Sequence, residues 1–212
     1  MRFKRVVDLT RELEPFRPGW GKEPEWGADY LEERLSVSRW IFPCDQTMQE
    51  DIHMWAHCGT HVEGHYHLHK HGEALSDYPL EHFFGEAVFA DLSYVDPAVG
   101  VRAADLERFE GKVAEGDIFI PYGDYMGRSA DVTLEAAEWL AGKRIKAFGW
   151  DGTVVLPTPS HNLLLENDVL EISKLDKNGV RAVNAERAFV IAAVLRIKGM
   201  GASPARVLAF EE

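Results

Sequence analysis

Hydrophobic and polar positions alternate along this chain with two different periods, one typical of strands and one typical of helices. A two-residue alternation or a short apolar run predicts strands at residues 4–10, 34–42, 47–57, 87–95, 116–123, 145–152, 169–176 and 187–197. The last of these runs is also long enough for a helix. Helical spacing or composition predicts helices at residues 102–113, 133–143 and 160–167. Strands are in the majority, so we expect a mixed, strand-rich α/β fold whose topology the pattern leaves open.

Local signals refine these elements. Thr133 is the expected N-cap of the clearest helix, and Gly142 is expected to end it. The segment "FRPGWGKEPEWGADY" is rich in glycine and proline and predicts a loop. Because no internal repeat or low-complexity linker divides the sequence, we expect one domain over residues 1–212.

The composition of the chain argues against some classes of binding partner. The chain has 46% hydrophobic residues and 23 basic against 35 acidic residues, a formal charge of −12. Without a dense cluster of lysine and arginine, it is not expected to bind nucleic acid or an anionic membrane. The N-terminus lacks the apolar run of a signal peptide, and no apolar stretch approaches the roughly 20 residues of a membrane span. Two cysteines are too few for a disulfide scaffold. We therefore expect a soluble, cytoplasmic protein.

Histidine is concentrated in one short segment. The stretch "HCGTHVEGHYHLHKHG", residues 57–72, holds six of the nine histidines. On one straight strand, the backbones of His57 and His61 would lie roughly 13 Å apart, at ~3.3 Å per residue. Zn–N bonds of about 2.0–2.1 Å leave almost no slack for both imidazoles to reach one ion across that span. A shared ion therefore requires a turn or a helical curl, for which Gly59 supplies backbone freedom and Gly64 a second bend.

Such a turn would bring His57, His61 and Glu63 to one divalent ion. Two imidazoles and a carboxylate suit Zn²⁺, Mn²⁺ or Fe²⁺. Three protein ligands leave room for a water, and a nearby uncoordinated histidine can move protons. The alternative is a solvated surface tract without function. Spacing alone does not decide between the two interpretations, and it favours plain surface for the later histidines of the tract.

The same segment resembles the signature H-x-G-T-H-x-D-x-P-x-H of the cyclase-like metal hydrolases, which include bacterial kynurenine formamidase and isatin hydrolase. Four further blocks stand in the family's order. They are "VVDLTRELEP", "GWDG", "SHNLLLENDVLEISKL" and "LRIKGMGASPARVLA". On these blocks the chain is identified as a member of that family, with the resemblance extending over most of its length.

The resemblance implies a ligand set. His57 and His61 take the positions of metal ligands, and Glu63 takes the position of the aspartate ligand. His161 and Glu171 match the block that completes a two-metal site in the formamidase branch. From the residues alone, these last two would be interpreted as structural or solvated. The expected cofactor is a divalent metal, Zn²⁺ or Mn²⁺, as one or two ions.

The resemblance also implies the chemistry and the assembly. His67 falls on the family's catalytic histidine, the expected general acid/base, while Trp20 and His65 are candidates for contact with the substrate. The family's fold is a single-domain swivelling β/β/α fold, commonly in dimers or larger oligomers, so we expect a homodimer or homotetramer. Two positions depart from the signature: Glu63 replaces its aspartate and His65 replaces its proline. Both departures leave the substrate open.

We therefore expect a metal-dependent amidohydrolase, similar to arylformamidases, that cleaves a small amide such as an aryl formamide or a cyclic amide. Two alternatives stay open. One is a lactone or ester-ring hydrolase of the same family, and the other is a non-catalytic metal-binding protein. No P-loop, dinucleotide fingerprint or Gly-x-Ser-x-Gly motif supports nucleotide-dependent or serine-hydrolase chemistry.

Overall fold

The computed structural model describes residues 3–15 and 35–212. Its strands are β1 (Arg5–Asp8), β2 (Leu35–Ile41), β3 (Met48–Met54), β4 (His61–Glu63), β5 (Phe84–Asp91), β6 (Ile118–Tyr122), β7 (Ala130–Asp131), β8 (Ala147–Gly149), β9 (Val154–Val155), β10 (Leu170–Ser173), β11 (Arg187–Val194) and β12 (Ala202–Glu211). Its helices are α1 (His65–Leu68), α2 (Ala103–Leu106), α3 (Leu134–Gly142), α4 (Thr158–Glu166) and α5 (Lys177–Ala182), with short 3₁₀ helices at Leu80–Phe83 and Glu107–Phe109.

Seven of these strands close into a barrel. Neighbouring strands follow the order β12, β11, β5, β6, β8, β10, β4, and β4 pairs back onto β12. The run from β5 through β6 and β8 to β10 is parallel, and the other pairings are antiparallel. The mixed, strand-rich α/β fold is therefore confirmed. Closure removes the exposed edges that an open sheet would leave.

The strand β12 pairs with three other strands and closes the barrel. The start of β12, residues 202–204, pairs with β4, and its end, residues 208–211, pairs with β1. Its other edge pairs with β11 over residues 205–210. The run at residues 187–197, which also allowed a helix, forms the strand β11 because it lies between β12 and β5.

The barrel has a hydrophobic core on each side of its wall. On β6, Ile118 and Ile120 belong to the interior cluster, and Phe119 belongs to a second cluster that α2, α3 and α4 cover. Strands buried on both faces have continuous apolar sequences rather than alternating ones, which explains "IFI" in β6. Outside the barrel, β2 pairs with β3 and β7 pairs with β9 as two small ribbons.

Helix ends follow the sequence signals only in part. Thr133 caps α3 by accepting a hydrogen bond from the Ala136 N–H at 3.4 Å, and the helix ends at Gly142 as predicted. The sequence did not predict α5, a six-residue helix with Gly179 inside it. A Cβ at Gly179 would lie 2.3 Å from the Asp8 carbonyl oxygen, so α5 packs directly onto β1. Such contact between distant segments has no local signal.

The structure also bears on membrane-spanning helices and on the two cysteines. Within residues 3–15 and 35–212, no helix is both long and apolar enough to span a membrane. Cys44 is exposed, Cys58 is buried, and the two form no disulfide. The loop predicted at residues 16–30 lies outside the described residues.

The end of β12 is held by a buried carboxylate. The Glu211 side chain is 8% exposed and accepts hydrogen bonds from the N–H groups of Asn184 and Ala185, at 2.7 and 3.0 Å, and from Arg5 at 3.0 Å. Burial raises the pKa of Glu211, but these bonds outweigh it and hold the pKa below its ordinary value. The ionised form therefore stabilises the fold at neutral pH.

We predict that Glu211→Gln lowers the free energy of unfolding at pH 7 by about 1 kcal/mol, because charge-assisted bonds to two backbone N–H groups are weakened. A carboxylate whose pKa is lowered by folding stabilises above its unfolded pKa and loses that effect as pH falls through the folded value. The difference between wild type and variant should therefore shrink from about pH 5 downward. Urea denaturation at a series of pH values measures it, and a difference independent of pH would contradict this role.

Candidate metal centre

The histidine segment turns once before the barrel strand β4 and again after it. His57 lies in a turn after β3, Gly59 follows with φ of +60°, and the chain then enters β4. The turn that the spacing required is therefore present at Gly59, a residue that adopts positive φ without steric cost. After Gly64, the chain forms the short helix α1, which carries His67.

Thr60 fixes this turn against three other segments of the chain. Its hydroxyl donates to the Lys174 carbonyl oxygen at 2.7 Å and accepts from the Arg11 N–H at 2.8 Å. Its own carbonyl accepts from the Ala205 N–H at 3.0 Å. The threonine of the motif is therefore structural, and it sets the position at which β4 begins.

Strand alternation places the ligand candidates on one face of the barrel wall. Val62 and Ile172 belong to the interior core, so His61 and Glu63 on β4 and Glu171 on β10 face the opposite side. Glu63 and Glu171 are direct partners in the antiparallel pairing of these strands. Both carboxyl groups are buried, and like charges placed opposite each other are destabilising unless cations or protons lie between them.

The first group of donors is His57, His61 and Glu63. His61 Nδ1 donates to the Gly59 carbonyl oxygen at 2.7 Å, because a carbonyl oxygen can only accept, and this leaves a lone pair on Nε2. That Nε2 lies 2.8 Å from Glu63 Oε1, and His57 Nδ1 lies 2.6 Å from the same oxygen and 3.2 Å from His61 Nε2. Three ligand atoms therefore converge on one point, which suits a cation.

The second group uses the other oxygen of Glu63. Glu63 Oε2 lies 3.1 Å from His161 Nε2 and 3.6 Å from His67 Nε2. His161 is in α4, and its Nδ1 lies 3.0 Å from Asn162 Oδ1, which directs Nε2 towards the glutamates. Glu171 Oε2 lies 3.3 Å from His161 Nε2 and, although buried, accepts no hydrogen bond from the described residues. An orphaned buried acceptor at this place also fits a cation.

The surroundings of Glu63 and Glu171 shift the pKa values of the two carboxyl groups in opposite directions. Burial raises the pKa of Glu63, but hydrogen bonds with His161, His57 and His61 outweigh it and hold the pKa well below its usual range. Burial and the neighbouring Glu63 charge raise the pKa of Glu171. Burial lowers the pKa of His161, but Glu63 and Glu171 together raise it to about 9. Positive charge is therefore favoured between the two carboxyl groups.

His67 stands at the opening of this centre. Its side chain is 36% exposed, and its ring contacts the rings of His57 and His161 edge to face, at centroid distances of 4.6 and 5.7 Å. Burial lowers the pKa of His67, and the neighbouring histidines lower it further. The charge of Glu63 acts in the other direction and raises it, but the pKa stays below its ordinary value. The structure thus brings the predicted acid/base next to the predicted ligands without assigning its role.

A cavity of about 600 Å³ opens onto these side chains, within the range of small-molecule sites. Its apolar lining residues are Trp55, Leu68, Trp150 and Leu156. The sequence did not single out Trp150 as functional, and it lies directly beside Glu171. Asp151, its neighbour, accepts hydrogen bonds from Thr153 and from Arg181, so it caps a turn and forms a partly buried ion pair.

Two other predicted residues lie elsewhere. The ring of His65 lies 3.9 Å from Asp168 and edge to face with His69, and His65 is not among the described residues that line the cavity. Trp20 lies outside the described residues. Their contact with substrate stays a prediction. Cys58 is buried and belongs to neither group of candidate ligands found among the described residues.

Known proteins share this architecture. Kynurenine formamidase of Salinibacter ruber is 25% identical over 96% of each chain. A predicted metal-dependent hydrolase from Bacillus stearothermophilus superposes with a TM-score of 0.75 at 25% identity over 98% of each chain. Isatin hydrolase A from Labrenzia aggregata, bound to benzyl benzoate, does so with a TM-score of 0.75 at 25% identity, over 98% of this chain and 93% of that one.

The family assignment rests on a longer stretch than the histidine motif. The family model described as "Putative cyclase" matches residues 7–155, which include the turn, β4 and most of the barrel strands. This match covers more than half of the chain, and the ligand candidates of the first group lie within it. The protein therefore belongs to the putative cyclase family.

Proposed function

We propose that this protein is a metal-dependent hydrolase that cleaves a small amide, with an aryl formamide or a cyclic amide as the substrate class. The relatives named above include a kynurenine formamidase and an isatin hydrolase, and these two names support an amide of an aromatic compound as the substrate class here. The cavity here has an aromatic wall in Trp55 and Trp150, which suits a flat aryl substrate.

The observation that carries this proposal is the shared position of Glu63. Its Oε1 faces His57 and His61, while its Oε2 faces His161, so one carboxylate serves two neighbouring groups of donors. His57, His61 and Glu63 would hold one ion, and Glu63, His161 and Glu171 would hold a second. A divalent ion held by these residues would supply Lewis acidity to water and to a substrate carbonyl.

His67 is the proposed proton carrier. Its Nε2 is close enough to the centre to reach a substrate there, yet its ring is partly open to solvent. An amide nitrogen must gain a proton to leave as an amine, and a positioned histidine is the usual donor. The competing assignment, in which His67 is itself a ligand with Glu63 and His161, rests on the same geometry.

The first test is a substrate panel. Protein stripped with a chelator and reloaded with Zn²⁺ or Mn²⁺ is offered formanilide, isatin and an aryl lactone. We expect metal-dependent hydrolysis of at least one of the two amides. Hydrolysis of the lactone alone would move the substrate class to esters, and tight metal binding without any turnover would favour a non-catalytic metal-binding protein.

For His67→Ala we predict that the metal content is unchanged while turnover falls about 10²- to 10⁴-fold, the usual contribution of general acid–base catalysis. Metal analysis and steady-state kinetics measure the two effects. His69→Ala is the matched control, because His69 belongs to the same tract but is exposed and lies 3.6 Å from Glu166. The control should keep wild-type turnover.

Two results would contradict this assignment in different ways. Unchanged turnover in His67→Ala would remove the side chain from the reaction. Loss of one equivalent of metal would make His67 a ligand rather than a proton carrier.

For Glu63→Asp we predict weaker binding of both ions, by about tenfold or more, although aspartate is the residue of the family signature. The shorter side chain, about 1.5 Å less in reach, cannot keep both oxygens at their present positions between the two groups of histidines. Competition with a chromophoric chelator measures the affinities, and Glu166→Asp, at an exposed site, is the control. Unchanged affinity would show that the site adapts to either carboxylate.

A further inference from the structure

The two oxygens of Glu171 have opposite surroundings. Oε1 accepts hydrogen bonds from the Trp150 indole Nε1 at 2.5 Å and from the Ser173 hydroxyl at 2.8 Å. Oε2 is buried, lies 3.3 Å from His161 Nε2 and accepts no hydrogen bond from any residue in the described ranges. The carboxylate is thus anchored through one oxygen and offers the other to the centre.

The backbone explains why both donors meet the same oxygen. Ser173 is two residues from Glu171 on β10, so their side chains share a face of the strand. Trp150 follows β8, the parallel neighbour of β10. The backbone N–H of Trp150 donates a hydrogen bond to the Ile172 carbonyl oxygen at 3.0 Å. The Trp150 carbonyl accepts from the Leu175 N–H at 2.9 Å. Ser173 therefore lies on a barrel strand, and Trp150 is held just after the end of one by two backbone hydrogen bonds.

The chemistry of the donors restricts what Glu171 can do. An indole N–H only donates, so it cannot act as a ligand itself or compete for a cation. With Oε1 occupied twice, the carboxylate is held in one orientation, and Oε2 is the atom left for an ion near His161 and Glu63. Without these donors the side chain could rotate or present both oxygens together.

We propose that Trp150 and Ser173 are positioning residues that hold Glu171 for one-oxygen binding and thereby set the occupancy of the second ion position. This inference rests on the proposed function, because it needs two ions in the centre. Trp150 also forms part of the cavity wall, so the group that orients the ligand borders the space for substrate.

The test measures metal affinity rather than activity. Trp150→Phe keeps an aromatic ring but removes the N–H, and Ser173→Ala removes only the hydroxyl. We expect each variant to bind the second ion about 10- to 100-fold more weakly, the usual effect of losing a group that orients a ligand, and to bind the first ion as wild type does. Titration of stripped protein with Zn²⁺, followed by calorimetry or a competing chelator, resolves the two steps.

Two controls separate positioning from a general effect on the fold. Trp139→Phe alters another partly buried tryptophan, on α3, and should leave both affinities unchanged. In a Glu171→Gln background, Trp150→Phe should have no further effect on the second ion, because the tryptophan acts through that carboxylate. Denaturation curves confirm that each variant is folded.

The outcomes distinguish this inference from the proposed function. Unchanged affinity for the second ion in both single variants would overturn the inference and leave a two-metal hydrolase intact, and equal weakening of both ions would also overturn it. If wild type binds one ion and hydrolyses an amide, the inference fails and a single-metal hydrolase remains. If wild type binds no ion, both fail together.

Discussion

The whole centre depends on burying the Glu63 carboxylate. A buried charge is costly unless it is paired and hydrogen-bonded, and Glu63 meets that requirement with His57, His61 and His161. His57 and His61 come from a turn and from the strand that follows it, whereas His161 comes from a helix 98 positions from Glu63. A second buried carboxyl group, Glu171, stands directly opposite in the sheet. Together they form an acidic pocket lined with imidazoles, for which a divalent cation is the fitting counter-charge.

Barrel closure is what makes this arrangement rigid. The strand β4 has only three residues, yet it pairs on one side with β10 and on the other with β12. His61 and Glu63 are therefore fixed by two neighbours rather than one. On the outer face, α1 packs beside α4, which brings His67 and His161 together over the glutamates. The barrel sets distances within the wall, and the two helices cover it.

The sequence predicted the local parts of the fold and of the centre. Strand alternation, the capping threonine of α3 and the need for a turn between His57 and His61 are all local properties, and the structure contains each of them. The closed barrel could not be predicted from the sequence, because the pairing of β4 with β12 joins residues about 140 positions apart. Trp150 and Ser173 were missed for the same reason, since an indole and a hydroxyl become informative only once they lie beside Glu171.

The most direct test of the central claim is anomalous diffraction from crystals of the protein loaded with Zn²⁺ or Mn²⁺, recorded on both sides of the metal absorption edge. We expect one peak among His57, His61 and Glu63 and a second among Glu63, His161 and Glu171. A loaded crystal without a peak beside Glu63 would contradict this claim.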